Sequence, residues 1–102
     1  MIHMTQPEFI WKMKSKGVDV VQRTDTVVQA VLAPDVLLEH YTTYAPGTLV
    51  SGSKIMITLI LGELGTETEV DYPVDNDLKQ IDSILKIHES NGTMDDYRKL
   101  FY

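Results

Sequence analysis

The stretch Lys54-Ile55-Met56-Ile57-Thr58-Leu59-Ile60-Leu61 restricts this chain more than any other. Ile55, Ile57, Leu59 and Leu61 alternate with Met56, Thr58 and Ile60, the period of an extended strand, yet both sets are mostly apolar. Such a strand belongs centrally in a sheet, covered on both sides by helices or by a second subunit. At 102 residues and 43% hydrophobic content the chain is expected to form one domain, residues 1–102, around a single modest core. The absence of cysteine excludes disulfides, thiolate catalysis and sulfur-ligated metals together. No apolar run approaches the roughly 18 to 20 residues of a membrane-spanning helix, and no basic region followed by an apolar segment opens the chain. A cytoplasmic location is expected.

Around that strand the remaining elements can be placed by their end signals. Thr5-Gln6-Pro7-Glu8 reads as a capping box, with Met4 and Phe9 as a hydrophobic staple, and opens a helix whose face is Phe9, Ile10 and Met13 and which Gly17 ends. Trp11 falls off that stripe and is expected to be partly buried. From Val18 to Ala33 the β-branched residues favour a hairpin turning at Thr24-Asp25; the competing reading is a helix from Asp25 to Leu32. Pro34-Asp35 is expected to open a short helix carrying Leu37, Leu38, Tyr41 and Tyr44, closed by Ala45-Pro46-Gly47. After the central strand, Gly62 to Gly65 turns the chain into a strand from Thr66 to Tyr72. Asp75 or Asn76 then caps a long helix with Leu78, Ile81, Ile84 and Leu85, which Asn91-Gly92 terminates. Thr93 to Asp96 starts a terminal helix whose Leu100 and Phe101 need a surface to dock on, in this chain or in a partner. The order predicts a small α+β domain: an antiparallel sheet of about four strands, in two hairpins, covered by about four helices.

Charge is distributed unevenly. The first 54 residues balance five acids (Glu8, Asp19, Asp25, Asp35, Glu39) against five bases (Lys12, Lys14, Lys16, Arg23, Lys54), so the net charge of -6 arises entirely beyond them. Between Gly62 and Leu78 the carboxylates Glu63, Glu67, Glu69, Asp71, Asp75 and Asp77 occur without one Lys or Arg. Such a field repels nucleic acid and membranes and favours a partner with a basic surface. In the strand from Thr66 to Tyr72, Glu67, Glu69 and Asp71 form a ridge at about 6.6 to 6.8 Å intervals, near the spacing of phosphates along a nucleic-acid strand, so a DNA-mimicking surface is geometrically feasible. The plainer reading is that charge on an outer strand prevents edge-to-edge pairing.

Chemical motifs are weak by comparison. Gly47 to Lys54 nearly copies a phosphate-binding loop, but its last residues run Ser53-Lys54 and a strand follows where that motif requires a helix, so it reads as a connector. His3, His40 and His88 lack metal-ligand spacing; His40 beside Glu39 is expected at the surface, with a hydrolase centred on that pair the weakest alternative. Asp95 and Asp96 suit a helical first turn. No catalytic residue, metal or cofactor is expected. The leading expectation is a non-enzymatic interaction protein, a homo-oligomer, that binds a basic site on another macromolecule through Glu63, Glu67, Glu69, Asp71, Asp75 and Asp77; small acidic inhibitors of the phage or mobile-element type share these traits. The alternative is a small-molecule or nucleotide-binding protein that sequesters or senses its ligand with Tyr41, Tyr44, Gly52, Ser53 and Lys54, tyrosines stacking on a base while Lys54 meets phosphate.

Overall fold

The computed structural model describes residues 4–44, 51–61, 68–74 and 78–101. Helix α1 (Gln6–Ser15) is followed by strands β1 (Asp19–Gln22), β2 (Val27–Ala33), β3 (Val36–Tyr44), β4 (Ser51–Leu61) and β5 (Thr68–Val74). Helices α2 (Leu78–Glu89) and α3 (Met94–Arg98) and a 3-10 turn (Lys99–Phe101) complete the described chain. The strands form one antiparallel sheet in the order β1-β2-β3-β4-β5. The class is α+β, with five strands and three α-helices among the described residues in place of about four of each.

The extra strand is β3, where a helix was expected. Pro34-Asp35 is a two-residue hairpin turn between the paired Ala33 and Val36, with Pro34 at the turn position that suits its fixed φ. From Val36 onward the side chains alternate: Val36, Leu38 and His40 are at most 1% exposed, whereas Leu37, Glu39 and Tyr41 are half-buried. The spacing of Leu37, Leu38, Tyr41 and Tyr44 fits a helix equally well, but pairing with β2 along Val36 to Tyr41 and with β4 along all nine residues supplies backbone partners that a local window does not contain. The hairpin of β1 and β2 forms as expected around Thr24-Asp25, where Thr24 Oγ1 accepts the Thr26 amide at 3.2 Å, and the competing helix from Asp25 to Leu32 is overturned.

All three helices dock on one face of the sheet. That face presents Val28, Ala30, Val36, Leu38, Ile55, Ile57, Leu59 and Val74, all buried, to Phe9 and Met13 of α1, Ile81, Ile84 and Leu85 of α2, and Tyr97 of α3. Helix α1 is capped by Thr5, whose Oγ1 accepts the Glu8 amide; the Glu8 carboxylate accepts the Thr5 hydroxyl at 3.0 Å, not the reciprocal amide of a full capping box. Gly17, at φ 75°, closes α1, with Val18 N bonded to Met13 O and Gly17 N to Lys14 O. Ion pairs Lys12–Asp82 (2.8 Å) and Lys16–Glu89 (3.1 Å) tie α1 to α2. Asn91-Gly92 ends α2 as expected, Asn91 taking a left-handed φ of 54° and a Cβ on Gly92 colliding with Ile87. The apolar C-terminal segment docks on the body: Phe101 stacks on Tyr72 of β5 with centroids 5.3 Å apart. Trp11 departs from expectation. It is 73% exposed, because the buried stripe of α1 is only as wide as Phe9 and Met13.

Candidate functional site

The opposite face of the sheet has no described helix over it. Because partners in register share a face, β2, β3, β4 and β5 line up Gln29, Glu39, Met56 and Pro73 in one row there. Val31, Leu37, Thr58 and Asp71 form the adjacent row. The dual apolar character of β4 therefore has a one-sided explanation within the chain: Ile55, Ile57 and Leu59 meet helices, while Met56 and Ile60 are only half-buried among their neighbours in the sheet.

In the middle of this open face four polar side chains form a connected group. Tyr41 donates its hydroxyl hydrogen to Glu39 Oε2 at 2.9 Å. Thr58 Oγ1 lies 3.1 Å from Glu39 Oε1 and 2.6 Å from Asp71 Oδ1. One hydroxyl carries one hydrogen, so Thr58 cannot donate fully to both carboxylates, and the group has more acceptors than donors. Burial first, then the hydrogen bond to Glu39 and the negative charges of Glu39 and Asp71, push the Tyr41 phenol up to about 12, so it remains a donor at neutral pH. Glu39, Tyr41, Thr43, Lys54, Met56 and Asp71 line an open depression of about 430 Å³. Arg23 closes the polar row at its far end, donating from Nε (3.2 Å) and Nη2 (2.7 Å) to Gln29 Oε1.

Residues read from the sequence as two separate sites meet here. Tyr41 and Lys54 are direct partners across β3 and β4, and Asp71 approaches them from β5. Glu69 is exposed on the same edge strand, paired with Ile60, whereas Glu63, Glu67, Asp75 and Asp77 lie outside the described residues. Gly52, Ser53 and Lys54 belong to β4, which begins at Ser51, so the second half of the expected connector is strand; Gly47 to Val50 lie outside the described residues. Tyr44 pairs with Ser51 at the end of β3, and its side chain is likewise outside the described set. Glu39 and Thr58 were not singled out as binding residues. Their signal was the alternation of β3, which places Glu39 beside Tyr41 once a strand replaces the helix.

The same alternation separates Glu39 from His40. Glu39 is on the open face and His40 faces the helices, fully buried rather than at the surface, so a hydrolytic pair between them is overturned. His40 Nε2 donates to Met4 O at 2.8 Å, its ring lies 5.3 Å from that of Phe9, and Nδ1 has no hydrogen-bond partner. Burial pushes the His40 imidazole below its ordinary range, against the opposing pull of the Met4 carbonyl and of the backbone of His40 itself. His88 Nδ1 pairs with Leu32 O at 3.1 Å, joining α2 to β2. Among the described residues no three histidine or carboxylate side chains gather as metal ligands, and no helix is long and apolar enough to cross a membrane.

No family model matches this chain, and no curated protein or solved structure is significantly similar to it.

Proposed function

We propose that this protein is a non-enzymatic interaction module that receives a basic segment of a macromolecular partner on the open face of its sheet. The observation that supports this reading is the acceptor-rich group of Glu39, Thr58 and Asp71 beside the Tyr41 ring. A lysine or arginine side chain brings the donors that Thr58 alone does not supply, and an aromatic ring next to two carboxylates also favours a cation. Half-buried Leu37, Met56 and Ile60 flank the group and offer apolar contact, while Glu69 extends the negative edge. The proposed site is thus centred on Glu39 and Asp71, with the acidic segment of residues 62–77 serving to attract the partner.

Titration of the labelled protein with an arginine-rich peptide, followed by amide chemical shifts, tests this reading. Shifts centred on β3, β4 and β5, weakened by salt and abolished by Glu39→Gln with Asp71→Asn, are the expected result. Shifts elsewhere, or unchanged affinity in the double variant, overturn it. A second reading draws on the pairing of Tyr41 with Lys54 across the same depression: a small anionic ligand, such as a nucleotide, stacked on the phenol and met by the ammonium. It requires thermal stabilisation by nucleotides that Lys54→Ala removes.

A further inference from the structure

We propose that His40 is an acid-sensitive latch whose protonation releases α1, together with the chain around Met4, from the sheet. A carbonyl oxygen only accepts, so the bond from His40 Nε2 to Met4 O fixes the neutral imidazole as the Nε2–H tautomer. Nδ1 then has a bare lone pair, which is tolerable without a partner. A second proton changes this. It puts a full charge on a ring that is itself fully buried, with only backbone groups, Met4 O and the backbone of His40 itself, to support it against the cost of burial.

Among the described residues no charged side chain compensates the resulting charge. Across the sheet His40 faces Val28 on β2 and Ile55 on β4, and the neighbours on its own strand, Glu39 and Tyr41, are on the opposite face. On α1 the adjoining ring is Phe9, and the charged residues of that helix, Glu8, Lys12, Lys14 and Lys16, are exposed or half-exposed on its outer side. Among the described residues of the helix layer the buried titratable group is Tyr97, which the charges of Asp35 and Asp96 act on, and His40 has no such charged partner. Met4 directly precedes the Thr5 cap, so the imidazole is beside the positive end of the α1 dipole, where a cation is further disfavoured. Opening provides relief. Separating Met4, Phe9 and Met13 from the sheet lets water reach Nδ1, and the exposed ends of the Lys12–Asp82 and Lys16–Glu89 pairs offer little resistance.

The linkage follows from proton counts. The open form takes up a proton near the ordinary histidine pKa of about 6.5 and the closed form only at lower pH, so between the two values opening rises by up to about tenfold per pH unit as pH falls. Hydrogen exchange of the full chain between pH 7.5 and 5, corrected for intrinsic chemistry, reads this directly. The expected result is that amides of Phe9 to Met13 lose protection as pH falls below 6.5, by up to about tenfold per unit, while Leu38 and Ile57 amides change much less. His40→Gln retains an N–H for Met4 O without the titration and is expected to flatten the response, whereas His88→Gln leaves it in place. Unchanged α1 protection in the natural chain, or the same acid response in His40→Gln, overturns the proposal. Should His40→Gln fail to fold, nitrogen chemical shifts of the natural His40 ring decide: protonation in step with α1 opening supports the latch, and protonation with α1 still closed overturns it.

Discussion

The two faces of β3 and β4 are built from the same strands and differ in what their side chains do. On the covered face, Leu38, Ile55, Ile57 and Leu59 are apolar, at most 1% exposed, and closed off by three helices. On the open face, Glu39, Tyr41 and Thr58 bond to one another and to Asp71 across an accessible depression. One face holds the sheet to the helices. The other carries a connected polar group beside an accessible depression. Two carboxylates there share one hydroxyl hydrogen, the feature on which the proposed basic partner rests.

The sharpest way to break this comparison is to truncate one residue on each face. Ile57→Ala is expected to cost about 2 to 5 kcal/mol in urea denaturation, the range for deleting a fully enclosed aliphatic side chain. Leu37→Ala, half-buried on the open face, is expected to cost less than half as much. Equal losses would mean that the open face is as much a part of the core as the covered one. Next in size is Thr58→Val, which keeps shape but removes the hydroxyl from Glu39 and Asp71; about 1 kcal/mol is expected from the shift in urea midpoint. An alkaline titration separates the faces further. Because the folded Tyr41 pKa of about 12 exceeds its unfolded value, its contribution is complete below pH 10 and is lost between pH 10 and about 12. Tyr41→Phe is therefore expected to flatten that part of the stability profile. The smallest effect is expected for Trp11→Ala, within about 0.5 kcal/mol by thermal unfolding, since the indole lies 73% exposed outside both faces.

The elements legible in the sequence were those whose local pattern admits one period. Ile55 to Leu61 alternates without ambiguity, and Ile81, Ile84 and Leu85 repeat at helical intervals before the Asn91-Gly92 stop. Strand β3 was not legible in this sense. Leu37, Leu38, Tyr41 and Tyr44 satisfy a helical template, and the deciding contribution is hydrogen bonding to β2 and β4, which a local window does not contain. The misreading carried into the site. With residues 34–44 taken as a helix, Tyr41 and Lys54 formed one candidate and Asp71 belonged to another, while Glu39 had no reason to approach Thr58. Restoring the strand brings three of the named residues together and adds the two that link them. Tertiary pairing overriding local propensity accounts for both errors.

The spatial order of the strands is also their order along the chain. Each hairpin can therefore close on the one before it, from its own turn, without waiting for a distant segment to arrive. The Ile60 amide bonded to Asp35 O at 2.9 Å shows one such relay, the turn between β2 and β3 receiving the far end of β4. The long-range step is different in kind: α1 must meet α2 from nearly the other end of the molecule, through Lys12–Asp82 and Lys16–Glu89. Refolding is thus expected to run as rapid sheet growth followed by helix closure, so that early in folding both faces of the sheet are bare and only later does one of them become the inside.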